Sequence, residues 1–257
     1  MLAAALTSNN RISLLTAVFG LGMIFYLAIE PTPVWLLLPL AALVAVGAHA
    51  LIRNHPSLRS LDPADTVFFL VLPTLAVIAT GVSLEEAVDG YASAPIAIVI
   101  TPPFAILLYS LYASFDPSHP AYPFARVTLT ITAYLIAFAL YALSYSLDLN
   151  VAGSAFVIGL STTLLAPEIL RESESSLFRL SIYGALLGLV LAQTRWILNF
   201  TPLDGHLAAA FLLAGFYCLA GLLQHHFAGS LTPRAAGEFL ATGVTAIFII
   251  TIAQAVS

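Results

Sequence analysis

The sequence predicts an all-α, polytopic integral membrane protein with about nine transmembrane helices, and three observations carry that prediction. Of the 257 residues, 60% are hydrophobic and 8% are charged, and the mean hydropathy is +1.00, which is more apolar side chain than one soluble core can bury. The apolar residues also fall into runs of about 20 residues, the length that crosses a bilayer. Finally, nearly all charges lie between the runs.

The predicted spans are 12–29, 34–52, 66–84, 95–114, 127–146, 151–170, 178–200, 206–227 and 236–256. The first span is not followed by a cleavage site of small residues, which favours a retained helix over a removed signal peptide. The connections are too short to form soluble domains. We therefore expect one transmembrane domain over residues 1–257.

Turn-forming or polar segments separate the spans of the first half. They are Glu30-Pro-Thr-Pro33 after the first span, residues 53–65 after the second, the acidic link 85–90 after the third, and Asp116-Pro-Ser-His-Pro-Ala-Tyr-Pro123 after the fourth. Proline and glycine in such clusters are strong indicators of turns.

The second half follows the same pattern with shorter links. Asp148 and Asn150 separate the fifth and sixth spans, and Arg171-Glu-Ser-Glu174 precedes the seventh. The turn 201–205 joins the seventh and eighth spans, and residues 229–234 precede the ninth. The seventh and eighth spans therefore form a helical hairpin.

The loop charges give an independent test of this topology, because arginine accumulates in short cytoplasmic loops. If nine spans alternate, one side receives Arg11, Arg53, Arg59, Arg126, Arg171, Arg179 and Arg234, which are seven of the eight arginines. The opposite loops receive only acids, namely Glu30, Glu85, Glu86, Asp89, Asp148 and Asp204. This asymmetry predicts a cytoplasmic N-terminus and an external C-terminus.

Composition also excludes several classes of function. The chain has no lysine, so it has neither a Schiff-base lysine nor a lysine nucleophile. Its net charge of −5 gives no footprint for nucleic acid. The single cysteine, Cys218, cannot form an intrachain disulfide. No nucleophile elbow, glycine-rich phosphate loop or pair of intramembrane carboxylates is present.

Arg195 is the charge that lies clearly inside an apolar span, roughly 8 Å from the predicted helix end at Phe200. The neighbouring Trp196 fits an interfacial aromatic belt, which favours an arginine that snorkels to the headgroups. Pairing with Asp204 or Glu30 is a second interpretation. The third is that Arg195 and Trp196 bind an anionic lipid or substrate.

Pro102 and Pro103 lie near the middle of the fourth span. Proline removes a backbone donor, so the pair predicts a kink, and packing alone would explain one. A helix broken at this depth is also how many transporters expose backbone groups to their substrate. Both residues are therefore candidate ligand-binding positions.

Two further patterns indicate helix packing. Gly184 and Gly188 are spaced so that another helix can approach closely. An aromatic stripe on one face of the fifth span is predicted to contact other helices or lipid, with stacking on a quinone or chromophore as the alternative. It consists of Tyr134, Phe138, Tyr141 and Tyr145.

The histidines provide only weak candidates for a metal site, namely His225, His226 and His49, with Glu168 as a possible acidic ligand. Adjacent histidines point about 100° apart on a helix, and no pair has the spacing of a known motif. We therefore predict no metal site, and the cofactor remains unknown.

The last 80 residues resemble a family of uncharacterised bacterial polytopic membrane proteins. The resemblance rests on Phe200-Thr-Pro202, Tyr217, Gly221-Leu-Leu-Gln-His225, Gly229, Arg234, Glu238-Phe-Leu240 and Gly243. It implies a location in the bacterial inner membrane and no known activity. Family members frequently carry an acidic residue near the position that Gln193 occupies here. This chain therefore has a neutral side chain where the resemblance implies a charge.

Three classes of function follow, in order of preference. The first is a non-catalytic structural or accessory subunit of a larger membrane complex, favoured by the scarcity of intramembrane ionisable groups. The second is a carrier of a lipid or of a small apolar or anionic solute, favoured by Arg195 and the proline pair. The third is an intramembrane enzyme that uses the cytoplasmic-side histidines. The expected partners are membrane lipids and other membrane subunits.

Overall fold

A computed structural model describes residues 2–29, 34–55, 66–87, 93–147, 149–174 and 176–256. Several of the loop charges used above, namely Glu30, Arg59, Asp89 and Asp148, lie outside the described residues. The helices are α1 Leu2–Leu27, α2 Leu37–Arg53, α3 Val67–Ala87, α4 Ser93–Ala113, α5 Tyr122–Ser146, α6 Val151–Leu170, α7 Leu177–Leu198, α8 Gly205–Phe227 and α9 Pro233–Val256. A 3-10 turn, Val34–Leu36, leads into α2.

The prediction of an all-α fold is confirmed for the described residues. Nine helices in these segments are long and apolar enough to cross a membrane. The predicted boundaries differ most at α1, which begins at Leu2 rather than near residue 12, and next at α5, which begins at Tyr122 rather than near residue 127. Pro123 is the second residue of α5, and proline is tolerated in the first turn because the amides there have no helical partner.

Side-chain caps explain where several helices of the second half begin. Asn150 accepts a hydrogen bond from the Gly153 amide at 2.7 Å and starts α6. Thr232 accepts one from the Ala235 amide at 3.2 Å, next to Pro233 at the first position of α9. Gly229, two residues after the end of α8, adopts a φ of +63°. Glycine adopts this left-handed conformation at little cost, and it commonly ends helices.

The chain divides into two compact units, Met1–Thr132 and Ala133–Ser257. In the first unit, α1 packs against α4 and α2 against α3. The rings of Phe19 and Phe104 stack with centroids 3.8 Å apart. Near the ends of α1 and α3, the buried Tyr26 hydroxyl donates a hydrogen bond to Glu85.

The second unit is built around α6 and α7, which make the most extensive helix pair among the described residues. Helix α8 packs against both α7 and α6, and α9 packs along α8. The buried share is 61% for the α6 span, 28% for α7, 33% for α8 and only 6% for α9. A tightly packed centre and a lightly held outer helix therefore coexist in this unit.

Candidate functional site

The buried stripe of α7 includes Arg195 near its C-terminal end. Its residues recur at helical spacing: Leu180, Gly184, Leu187, Gly188, Leu191, Arg195 and Leu198. A Cβ at Gly184 would lie 2.9 Å from the Thr163 carbonyl oxygen, and one at Gly188 would overlap the Gly159 carbonyl oxygen and the Thr163 hydroxyl. The two glycines thus bring the α7 backbone against α6, as in other small-residue helix contacts.

Arg195 lies three residues before the end of α7, which is about 4.5 Å along the helix axis. Its side chain is only 7% exposed, so it points into the unit rather than toward the headgroups. Its Nε is buried and has no hydrogen-bond partner. A buried guanidinium without a counter-ion carries a desolvation cost of several kcal/mol, so this position needs compensation.

The group that contacts the Arg195 guanidinium is the ring of Tyr145, whose centroid lies 4.4 Å from Cζ. Such a cation–π contact contributes about 2 kcal/mol when it is desolvated, which is less than the cost of burial. Tyr145 is fixed by Gly205 at the start of α8, where a Cβ would lie 2.8 Å from the Tyr145 Cβ. The Tyr145 hydroxyl is also buried without a hydrogen-bond partner.

The interpretations of Arg195 as a snorkelling or ion-paired residue do not describe this geometry. Trp196, the next residue, is 51% exposed and lies on the outer side of α7, whereas Arg195 is turned inward. Among the described residues, no carboxylate lies within 4.0 Å of Arg195, and Asp204 is exposed. Glu30, the other partner considered, lies outside the described residues.

The rest of the aromatic stripe of α5 packs within the second unit. The Tyr134 ring contacts Phe216 and Tyr217 of α8, with centroids 5.5 and 5.8 Å apart. The Tyr141 hydroxyl is 2.5 Å from the Thr162 hydroxyl of α6. Phe138 is half-buried. Tyr134 and Tyr141 thus attach α5 to α8 and α6, whereas Tyr145 contacts the Arg195 guanidinium.

Pro102 and Pro103 do not interrupt their helix, because α4 is continuous from Ser93 to Ala113. Both prolines are exposed, while the following Phe104 is buried against Phe19. The Thr101 hydroxyl donates to the Ala97 carbonyl oxygen at 2.8 Å. The broken helix that a carrier would use is absent from this described segment.

The histidine candidates are not gathered into a metal site. In the second unit, His225 Nδ1 lies 3.0 Å from the Ser230 hydroxyl and its ring packs against Phe239, while His226 is exposed. In the first unit, His49 Nδ1 lies 3.4 Å from the Thr66 hydroxyl. Within the described segments, no group of three or more potential ligands could hold a metal ion.

Two charges are buried that the sequence pattern did not identify as buried: Arg126 was assigned to a loop, and Glu168 was considered only as a possible metal ligand. Because α5 starts earlier than predicted, Arg126 lies inside that helix and is buried. Glu168 is buried near the end of α6, where it accepts a hydrogen bond from Arg171 Nε at 2.9 Å. The i,i+3 spacing of Glu168 and Arg171 was the signal that could have identified this pair.

A second titratable cluster lies at the end of α2 in the first unit. His55 is buried against the rings of Tyr112 and Phe115, with centroids 4.6 and 5.8 Å apart, and this burial lowers its pKa. Asp116 accepts hydrogen bonds from the hydroxyl and amide of Ser118, which lower the pKa of its carboxyl group. These contacts account for the local structure around His55 and Asp116 and give no sign of a ligand.

Two apolar grooves flank α8. One, of about 290 Å³, lies between α8 and α9 and includes Cys218 and Gly243. The other, of about 380 Å³, lies between α7 and α8 and ends near His226. Both are lined almost entirely by hydrocarbon, as expected where lipid chains contact a helix bundle.

Comparison with known proteins gives one positive result. No curated protein matches this chain. No solved structure matches it either. A family model described as "Protein of unknown function (DUF5656)" matches residues 11–253, so the resemblance extends far beyond the last 80 residues. The chain therefore belongs to the DUF5656 family, whose function is unknown.

Proposed function

We propose that this protein is a non-catalytic, multi-pass membrane protein that serves as an accessory subunit of a larger complex in the bacterial inner membrane. The observation that supports this function is α9. It packs along α8, yet only 6% of its span is buried, the smallest share among the described spans. Helices with so little internal contact are suited to packing against another membrane protein.

The outward side of α9 has the composition of a helix-packing surface. Gly237, Ala241 and Thr245 recur every four residues, are exposed, and point away from Phe239 and Gly243, which contact α8. No heavy atom lies within 4 Å of a Cβ placed at Gly237. Small residues at this spacing allow two helices in lipid to approach closely. We call these three residues the outer α9 stripe.

Photocrosslinking in native membranes tests the subunit proposal. A photoreactive phenylalanine at Ala241 should crosslink in high yield to one other membrane protein that co-purifies in fixed stoichiometry. The same probe at the exposed Leu135 of α5 is the control and should give lipid adducts. Lipid adducts alone at Ala241, or crosslinks only to a second copy of this chain, would contradict the proposed role.

The orientation belongs to the same proposal: the arginine distribution favours a cytoplasmic N-terminus. In a Cys218→Ser background, a membrane-impermeant maleimide should label Thr201→Cys in intact cells and Ser230→Cys only after permeabilisation. Both positions are exposed and lie at opposite ends of α8. The reverse labelling pattern would invert the topology without bearing on the subunit role.

The two alternatives receive less support from the described residues. A carrier was favoured by a broken fourth helix, but α4 is continuous and its prolines are exposed. An enzyme would need clustered histidines or acids, and His225 and His226 have no third potential ligand near them in the described part of the chain. The subunit proposal also predicts contact with lipids and no binding of nucleic acid.

A further inference from the structure

Arg195 and Tyr145 present two buried hydrogen-bond donors that no described residue satisfies. Arg195 is only 7% exposed, and its Nε has no hydrogen-bond acceptor. The hydroxyl of Tyr145, whose ring lies under the guanidinium, also has no partner. At the far end of α6, by contrast, the buried Glu168 is paired with Arg171 at 2.8 Å. Buried charges are normally paired, so an unpaired one points to a missing anion.

The surroundings of this pair favour an anion over a cation. Two helices begin at this end of the second unit. The start of α6 is joined to the end of α5 by the Ser154 hydroxyl, which donates to the Ser144 carbonyl oxygen at 3.0 Å. The start of α8 packs against Tyr145 through Gly205. Helix N-termini carry partial positive charge, and Asp204 makes no capping hydrogen bond to the first amides of α8.

The height of the pair in the predicted bilayer suggests the class of anion. Arg195 lies within one turn of the end of α7, and the exposed Trp196 beside it has the position of an interfacial residue. Phosphate groups are the abundant oxyanions at that level of a membrane. A guanidinium donates to phosphate oxygens in a planar fork, and a phenol can add a third donor.

We propose that Arg195 and Tyr145 form a binding site for a phosphate oxyanion, supplied by the headgroup of an anionic phospholipid. Arg195 neutralises and orients the phosphate through its guanidinium, and Tyr145 donates through its hydroxyl while its ring covers the other face of the guanidinium. This site does not depend on the subunit role, since a complex subunit and an isolated protein could both hold such a lipid.

The test uses the purified full-length protein, delipidated in neutral detergent, with thermal unfolding and native mass spectrometry as readouts. Phosphatidylglycerol should raise the unfolding temperature and bind about tenfold more tightly than phosphatidylcholine. Both lipids carry a phosphate, but the choline ammonium of phosphatidylcholine neutralises the headgroup and would be repelled by the Arg195 guanidinium. Tyr145→Phe should weaken phosphatidylglycerol binding about fivefold, the loss expected for one hydrogen bond. Arg179→Gln, an exposed arginine paired with Glu174, is the control and should bind like the wild type.

Arg195→Met separates binding from folding. Without lipid, this variant should unfold at the same or a higher temperature than the wild type, since it removes an unpaired buried charge. With phosphatidylglycerol, it should gain no stability. An Arg195→Met protein that responds to phosphatidylglycerol like the wild type would overturn the site, and so would equal binding of the two lipids by the wild type.

Inorganic phosphate distinguishes the source of the anion. If phosphatidylglycerol stabilises the wild type and millimolar phosphate does not, the ligand is a lipid. If phosphate alone gives the same Arg195-dependent stabilisation and displaces the lipid, the oxyanion site stands and its ligand is a free phosphate compound. If Arg195→Met does not fold, the lipid response of Tyr145→Phe relative to Arg179→Gln decides the matter, and equal responses would refute the proposal.

Discussion

The α6–α7 and α8–α9 pairs of the second unit are both joined through glycines, but the glycines meet different kinds of atom. Gly184 and Gly188 of α7 approach backbone carbonyls of α6. Gly221 of α8 meets the ring of Phe239, and Gly243 of α9 meets the Cys218 sulfur at 3.3 Å from a placed Cβ. Backbone cannot move without disturbing its helix, whereas a side chain can rotate. The first pair is therefore rigid and specific, and the second can adapt.

The largest effect is expected at Gly188. A methyl group there overlaps the Gly159 carbonyl oxygen, so Gly188→Ala should lower the free energy of unfolding by about 3 kcal/mol, the upper range for overpacking. SDS titration in mixed micelles would measure this change. Thr163→Ala should not rescue the variant, because the Gly159 backbone remains in place, and a full rescue would show that the contact is adaptable. Gly215→Ala, whose Cβ would lie 3.5 Å from Leu191, is the near-neutral control.

A smaller loss is expected one turn away at Gly184. Its placed Cβ lies 2.9 Å from the Thr163 carbonyl oxygen and 3.3 Å from Pro167 Cδ, so Gly184→Ala should cost about 1–2 kcal/mol. Pro167 cannot donate to the Thr163 carbonyl oxygen, and Pro167→Ala restores that donor. The double variant measured by the same titration should therefore be non-additive, and simple additivity would mean that the two positions do not share this carbonyl.

Gly221 tests the adaptable pair. Gly221→Ala overlaps the Phe239 ring, but that ring can turn, so the expected loss is about 1 kcal/mol or less. Adding Phe239→Leu should restore most of the stability lost. A loss at Gly221 as large as that at Gly188, without rescue, would remove the distinction between the two helix pairs.

The smallest effect is expected at Gly237, which faces no other residue of the described chain within 4 Å of a placed Cβ. Gly237→Ala should stabilise the isolated protein by about 0.5–1 kcal/mol, because alanine favours the helix and restricts the unfolded chain. If the outer α9 stripe binds a partner, Gly237→Leu should release that partner in pull-downs while the purified protein keeps its stability. Retention of the partner would exclude Gly237 from the interface.

Periodicity and length were sufficient to predict the nine helices, because apolar runs and turn residues are local properties of a sequence. The partner of Arg195 was not predictable in the same way. Spacing along the chain suggested Asp204 or Glu30, whereas the observed contact is Tyr145, fifty residues earlier and on another helix. That contact depends on how α5 and α7 are rotated about their axes. Single-sequence patterns give the buried face of a helix but not its neighbour.

Pro102 and Pro103 illustrate a second limit of the sequence. Loss of two backbone donors predicted a kink and left a broken helix as the alternative. Helix α4 continues without a break, and both rings lie on its exposed side. Arg126 was misplaced for a related reason, since hydropathy alone could not show that Tyr122 and Pro123 begin the helix. Tertiary placement decides whether such residues break, begin or line a helix.

The close contact between α6 and α7 also bears on biogenesis. The two helices are consecutive and joined by residues 171–176, so they can pair as soon as both have left the ribosome and entered the bilayer. Helix α9 is synthesised after α8 and adds little buried surface, so its docking onto α8 can be delayed without exposing much of the unit. A chain paused before α9 would already contain Arg195 and Tyr145 together with α5, α7 and α8, which position them.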